Sequence, residues 1–189
     1  LLPVGFFLRP TQRVARELIG CFIESRMGRA RTLARIVEVE AYLGQRDPAS
    51  HAWANRRHAQ NETLYAPAGT WYVYRSYGVH WCANLVCERR VNGGAVLLRA
   101  VEPLGGLAVM RRRRGGIERD RLLASGPGRL TQALAIDRSL DGAAMSRSGV
   151  RIYESGEDVE VHTSRRIGIT RAVDWPLRFT LSGSRFTSR

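Results

Sequence analysis

The sequence predicts an α+β fold: a mainly antiparallel, curved sheet with helices around it and one protruding β-hairpin. Three observations predict it. Apolar runs with period-two alternation recur along the chain, glycine turns separate several of them, and helical patterns cluster near the start and in residues 105–136. No repeat, low-complexity linker or shift in composition marks a boundary, so residues 1–189 read as a single domain.

Taken in order, "TQRVARELIG", residues 11–20, reads as an amphipathic helix. Thr11 is its cap, Val14, Leu18 and Ile19 face inward, and Gly20 ends it. A strand at "CFIESRM" turns at Gly28 into a long strand through Leu43. Alternation there puts Val37, Val39, Ala41 and Leu43 on one face and Glu38, Glu40 and Tyr42 on the other. Residues 44–68 are loop-rich, and "GTWYVYRSYGVHWCANLVC", residues 69–87, reads as a hairpin with Gly78 near its tip. After the turn "NGG", "AVLLRAVEP" is a strand ended by Pro103. "GGLAVMRRRRGG" and "IERDRLLASGPGRLTQALAI" read as helices punctuated by glycine, and strands return at "GVRIYES", "DVEVHTSRRIGIT" and "PLRFTLSG".

A chain of 189 residues, 44% hydrophobic, is large enough for a proper core. No apolar run approaches the length of a membrane span, and "LLPVGFF" lacks the basic region and cleavage site of a signal peptide. A cytoplasmic monomer without a membrane partner is expected, nucleoid-associated if bacterial. Three cysteines are too few, and odd in number, for a secreted disulfide framework. Cys82 and Cys87 point to opposite faces of a strand, so neither a mutual bridge nor a shared zinc site is expected.

Charge says more. A net charge of +13 points to a polyanionic partner, nucleic acid first and anionic membrane second. All 30 basic residues are arginine, which suits bidentate phosphate contacts and stacking.

Two acidic residues in an apolar strand, Glu38 and Glu40, are either a solvated face or the wall of a site. Arg99, in the equally apolar "AVLLRAVEP", needs a partner if buried, and Glu40 is the natural candidate. Such a pair is a structural salt bridge or a means of keeping Glu40 ionised to hold and deprotonate a water. Tyr42, His51, Tyr72 and Tyr74 are core and surface residues or a slot for a planar nucleobase. Tyr77, at the hairpin tip, folds back on the body or projects as a wedge between base pairs. "RRRR", Arg111–Arg114, is a solvated helix face or a set of phosphate contacts, and "SGPGRL" opens a helix whose free N–H groups could receive a phosphate.

Together "RIVEVEAYLG…DPASHA", "YVYRSYG…N", "AVLLRAVEP" and "SGPGRLTQALAI", in this order and spacing, resemble the alkyladenine (3-methyladenine) DNA glycosylase family from about Thr11 to the "PLRF" strand. The resemblance implies an enzyme that removes damaged purines from double-stranded DNA without a cofactor or metal. It implies that Glu40 is the general base and that Arg99 and the backbone carbonyl of Ile167 help to hold the water. It further implies that Tyr42, His51 and Tyr74 enclose the flipped base, that Asn84 crowds the amino group of normal guanine, and that Tyr77 fills the gap in the duplex. Two departures stand out. "HAQN", residues 58–61, keeps only the Asn of the family's Thr-Pro-Arg-Asn, and Ala68-Gly69 replaces Pro-Gly.

The absence of lysine leaves only the N-terminus as an amine for the Schiff base that strand-cutting glycosylases usually form, so a water-using, monofunctional reaction is expected. Two rivals stay open. A nuclease could gather a metal on Glu38, Glu40, Asp47 and His51, and a non-catalytic module would leave the Glu40–Arg99 pair as structure alone.

Overall fold

The computed structural model describes residues 1–88 and 92–188. Among them are four α-helices: α1 (Val4–Phe7), α2 (Thr11–Leu18), α3 (Leu107–Arg113) and α4 (Pro127–Leu134). They accompany the strands β1 (Phe22–Ser25), β2 (Thr32–Tyr42), β3 (Trp71–Ser76), β4 (His80–Cys87), β5 (Gly94–Gly105), β6 (Val150–Tyr153), β7 (Val161–Ser164) and β8 (Arg178–Leu181). One antiparallel sheet runs β3-β4-β5-β2-β1-β6, with β8 joined to both β2 and β7. β2 is its spine: β5 follows one edge, while β1 takes residues 32–35 of the other edge and β8 takes residues 38–40.

Alternation sorts the sheet into two faces. Trp71 and Val73, Ala83 and Leu85, and Val96 and Leu98 enter the main core, where α2 adds Val14 and Leu18 and α4 adds Leu130 and Leu134. The intervening residues Tyr72, Val86 and Ala95 form a smaller cluster on the opposite face, covered by Ala52, Leu64 and Tyr65 of the 44–68 loop. That second face carries the site.

The expected alternation along β2 breaks at a bulge. Ile36 opposes Val101 and Glu38 opposes Ala100, leaving Val37 as an extra residue; one step on, Val39 opposes Leu98 and leaves Arg99 extra on β5. Ile36 and Val39, three apart, therefore both enter the main core, while Val37 packs separately with Ala100 and Phe186. Bulges re-aim side chains. Here one turns Arg99 toward the two carboxylates of β2.

Other differences from the sequence reading have local causes. β5 continues through Pro103 to Gly105, with an irregular register beside the proline, which has no N–H for the ladder. Residues 117–126 form no α-helix: beyond a 3₁₀ turn at Asp120–Leu122, residues 124–126 bond to β5, Val101 N–H to Ala124 O and Gly126 N–H to Arg99 O. β7 ends at Ser164, freeing residues 167–171 to line the site. Thr11 lies inside α2 instead of capping it, and its N–H and hydroxyl both donate to Glu88. In "RRRR", Arg113 donates to the carbonyls of Met27 and Ala133, Arg114 to that of Leu123, and Arg111 pairs with Asp120. Three of the four arginines tie loops together. α1 lies within a segment for which no helix is expected from sequence.

Gly44 decides how the chain leaves β2 to cover the second face. Its φ is +64°, and a Cβ there would lie 1.7 Å from the Asn92 carbonyl oxygen, which accepts the N–H of Gln45. Gly44→Ala should therefore destabilise the protein by more than about 1 kcal/mol, read as a lower midpoint in urea at unchanged slope.

Candidate active site

Glu40 is fully buried in the middle of the sheet and engaged from three directions. Its Oε1 accepts the Ile167 peptide N–H at 2.8 Å and lies 3.2 Å from Arg99 Nη1; its Oε2 accepts the Tyr42 hydroxyl at 2.9 Å. An ionised carboxylate has about four acceptor positions, so one on Oε2 is left for a further donor. Burial works against the charge of Arg99, but Glu40 and Glu38 more than offset it, and its pKa is raised.

Glu38, also fully buried, is the second carboxylate on Arg99, at 2.9 Å from Nε. It also accepts Arg178 Nε at 2.8 Å, the Ser188 hydroxyl at 2.7 Å and the Ser188 N–H at 2.5 Å. Burial raises its pKa, yet the hydrogen bonds from Arg178 and Ser188 and the charge of Arg99 outweigh that and leave it lowered.

Beyond Tyr42 opens a cleft of about 1360 Å³, lined by Tyr42, His51, Tyr72, Tyr74, Asn84, Arg99 and Ile167 among others. His51 Nδ1 is 2.9 Å from the Tyr72 hydroxyl, and its ring meets Tyr74 edge-on with centroids 4.6 Å apart. Tyr72 and Tyr74 stack at 5.3 Å, and Asn84 Nδ2 donates to the Tyr72 carbonyl at 3.1 Å. Crowding around His51 disfavours its charged form, desolvation first and the nearby His58 second. Burial likewise pushes the Tyr42, Tyr72 and Tyr74 phenols up, Glu40 adding to the effect on Tyr42, so all three stay protonated. The exposed Arg56, Arg75, Arg138 and Arg171 stand at the cleft's margin.

At the hairpin tip the Val79 N–H donates to the Ser76 carbonyl, and Tyr77 and Gly78 both have positive φ, +48° and +66°. The left-handed conformation costs a non-glycine residue roughly 1–2 kcal/mol. Tyr77 gains no burial in return, being 89% exposed. Positive φ at both central residues is what a two-residue hairpin turn requires, and it leaves the Tyr77 ring in solvent at the end of the hairpin.

The structure thus brings Glu40, Arg99, Ile167, Tyr42, His51, Tyr74 and Asn84 to one place and sets Tyr77 at the end of the hairpin that helps to wall it. The contact shown by Ile167 is its N–H, where the sequence reading named its carbonyl. The metal-site grouping does not form. Arg166 holds both oxygens of Asp47, at 2.5 and 2.9 Å, and Glu38 is taken by Arg99, Arg178 and Ser188. No group of three or more potential metal ligands occurs among the described residues.

A family model described as "Methylpurine-DNA glycosylase (MPG)" matches residues 5–185. The chain belongs to the methylpurine-DNA glycosylase family. It is 50% identical over 188 residues to an Agrobacterium fabrum protein provisionally named 3-methyladenine DNA glycosylase, covering 100% of this chain and 92% of that one. Proteins of the same provisional name from Rhodopseudomonas palustris and Methanoculleus marisnigri are 45% and 44% identical; each comparison covers all of this chain, with 88% and 98% of the relative.

In this methylpurine-DNA glycosylase-family chain several supporting residues escape sequence reasoning. Arg166, wholly buried beside the exposed Arg165, stacks under the Tyr42 ring at 4.7 Å and ties the 165–171 segment to Asp47 and the Ala41 carbonyl. Nothing in "SRRIGIT" distinguishes the two arginines. Asn61 accepts the His58 N–H and donates to the carbonyls of His51 and Arg56, so the one Asn kept in "HAQN" anchors the His51 loop. Ser188 lies beyond the segments that carry the resemblance, and Arg178 in "PLRF" gives no sign in sequence of its partner Glu38.

The lowered pKa of Glu38 has a definite sign. Its contribution to stability is fully present above the unfolded-state value of about 4.3 and is lost as pH falls through the lower folded-state value. The urea midpoint of the wild type should fall as the pH is lowered below about 4, and Glu38→Gln should fall less over the same range.

Proposed function

We propose that this chain is a monofunctional DNA glycosylase that flips alkylated purines out of duplex DNA and hydrolyses the N-glycosidic bond, leaving an abasic site. One observation carries the reading: a buried, arginine-paired carboxylate with an acceptor position still free lies directly behind Tyr42, Arg99 and Ile167, which line an aromatic cleft with a basic margin. Glu40 accepts a proton from water held with the help of Arg99 and the Ile167 carbonyl, and its charge steadies the oxocarbenium character that develops on the sugar. The bond from C1′ to the base nitrogen breaks as the water oxygen bonds to C1′, and the electron pair leaves with the base.

Tyr42, His51 and Tyr74 enclose the base, and Asn84 crowds the amino group of normal guanine. Tyr77 occupies the space vacated in the duplex. A purine alkylated at N3 or N7 is cationic: it leaves without a proton, and an electron-rich ring binds it by about 0.5–2 kcal/mol. A neutral deaminated base such as hypoxanthine needs a proton to leave, and a neutral His51 with phenols held protonated is a poor source of one. Hypoxanthine is accordingly a substrate, but a slower one. With no lysine side chain to attack the sugar, water is the nucleophile.

In single-turnover assays on a 7-methylguanine duplex, Glu40→Gln should bind the DNA as the wild type does and release base about 10²–10⁴-fold more slowly. Retained turnover would remove Glu40 from the role of base. Tyr77→Ser should weaken binding to the lesion duplex and slow release; unchanged kinetics would leave the hairpin without a wedge.

A further inference from the structure

On the reading of Glu40 and Arg99 as the water site, we propose that Ser188 is a positioning residue for base release, fixing the Arg99 guanidinium through direct contact and through Glu38. The geometry is closed. Arg99 turns a different nitrogen to each partner: Nη1 to Glu40 at 3.2 Å, Nε to Glu38 at 2.9 Å and Nη2 to the Ser188 hydroxyl at 3.2 Å. Three partners around a planar group fix its plane as well as its position.

The Ser188 hydroxyl in turn donates to Glu38 Oε1 at 2.7 Å, and its N–H donates to Oε2 at 2.5 Å, so one residue touches both members of the pair beneath Glu40. Arg178 closes the ring, with Nε on Glu38 at 2.8 Å and Nη2 on the Ser188 carbonyl at 3.4 Å.

The segment is itself anchored. Phe186, two residues earlier, is buried against Val37 and Ala100, one the extra residue of the β2 bulge and the other the neighbour of Arg99. The bulge that aims Arg99 therefore also seats the segment that holds it. Without the Ser188 hydroxyl the guanidinium keeps Glu38 and Glu40 but loses its third contact, and Glu38 loses one of its donors. Ser188 touches neither DNA nor water in this scheme, so its effect should fall on the chemical step and not on duplex affinity.

The test is single-turnover release from a 7-methylguanine duplex, with duplex affinity and thermal midpoint measured alongside, for wild type, Ser188→Ala, Ser188→Thr, Glu38→Gln and Glu40→Gln. Ser188→Ala should release base about tenfold more slowly at unchanged duplex affinity, the size expected for losing a hydrogen bond to a charged group. Ser188→Thr, which keeps the hydroxyl, should recover most of the rate, and Glu38→Gln should be slow as well. A wild-type rate in Ser188→Ala or in Glu38→Gln overturns the inference. So does a loss of rate that threonine does not restore, or one matched by lost affinity or by the fraction unfolded. If Glu40→Gln keeps full turnover, the reading of the water site fails first, which separates the two.

Discussion

The structure turns on one requirement: a guanidinium buried between sheet strands must have its charge answered and its donors satisfied. Removing one partner of a buried ion pair typically costs about 3–5 kcal/mol, because the other charge is left stranded. Arg99 meets the requirement with two carboxylates, and each brings its own supporters. Glu38 draws in Arg178 and Ser188, and Glu40 draws in Ile167 and Tyr42. Segments far apart in sequence, residues 36–42, 99, 165–167, 178 and 186–188, are thereby gathered at one point. The fold around the site is largely the means of supplying these partners.

The second element is the division of the sheet into faces. β3, β4 and β5 bury one alternate set of side chains under α2 and α4 and present the other beneath the 44–68 loop. Tyr72, Tyr74 and Asn84 belong to the presented set, so the aromatic lining follows from the same periodicity that builds the core. β2 joins this arrangement only because a bulge resets its phase between Ile36 and Val39. An unbroken strand would place Ile36 and Val39 on opposite faces and leave Arg99 in the regular ladder.

What was legible in the sequence was whatever rests on local pattern. The hairpin and its tip, the long acidic strand, the α+β architecture and the pairing of Arg99 with Glu40 all follow from alternation, turn residues and the cost of an unpaired buried charge. What escaped depends on contacts between segments that no local pattern brings together. Arg166 looks like its exposed neighbour Arg165, and only the position of Asp47 distinguishes them. The arginine run 111–114 looks like a charged surface, yet three of its members satisfy carbonyl or carboxylate groups on other segments. Glu38 reads in the sequence only as an acidic residue of an apolar strand, and its partners Arg178 and Ser188 lie 140 and 150 residues away. The irregular 117–126 segment defeats a helical reading because β5, bulged at Arg99, offers it backbone partners there.

The central claim is that a buried carboxylate, with no metal and no lysine amine, directs water at a glycosidic bond. The most direct test is single-turnover base release from duplexes containing 7-methylguanine, 3-methyladenine, hypoxanthine or ethenoadenine, in EDTA and with borohydride present. The expected result is free base and an uncut abasic strand, fastest for the cationic lesions, with no trapped covalent adduct. Loss of activity in EDTA, strand cutting that depends on Mg²⁺, or a borohydride-trapped protein–DNA adduct would contradict it.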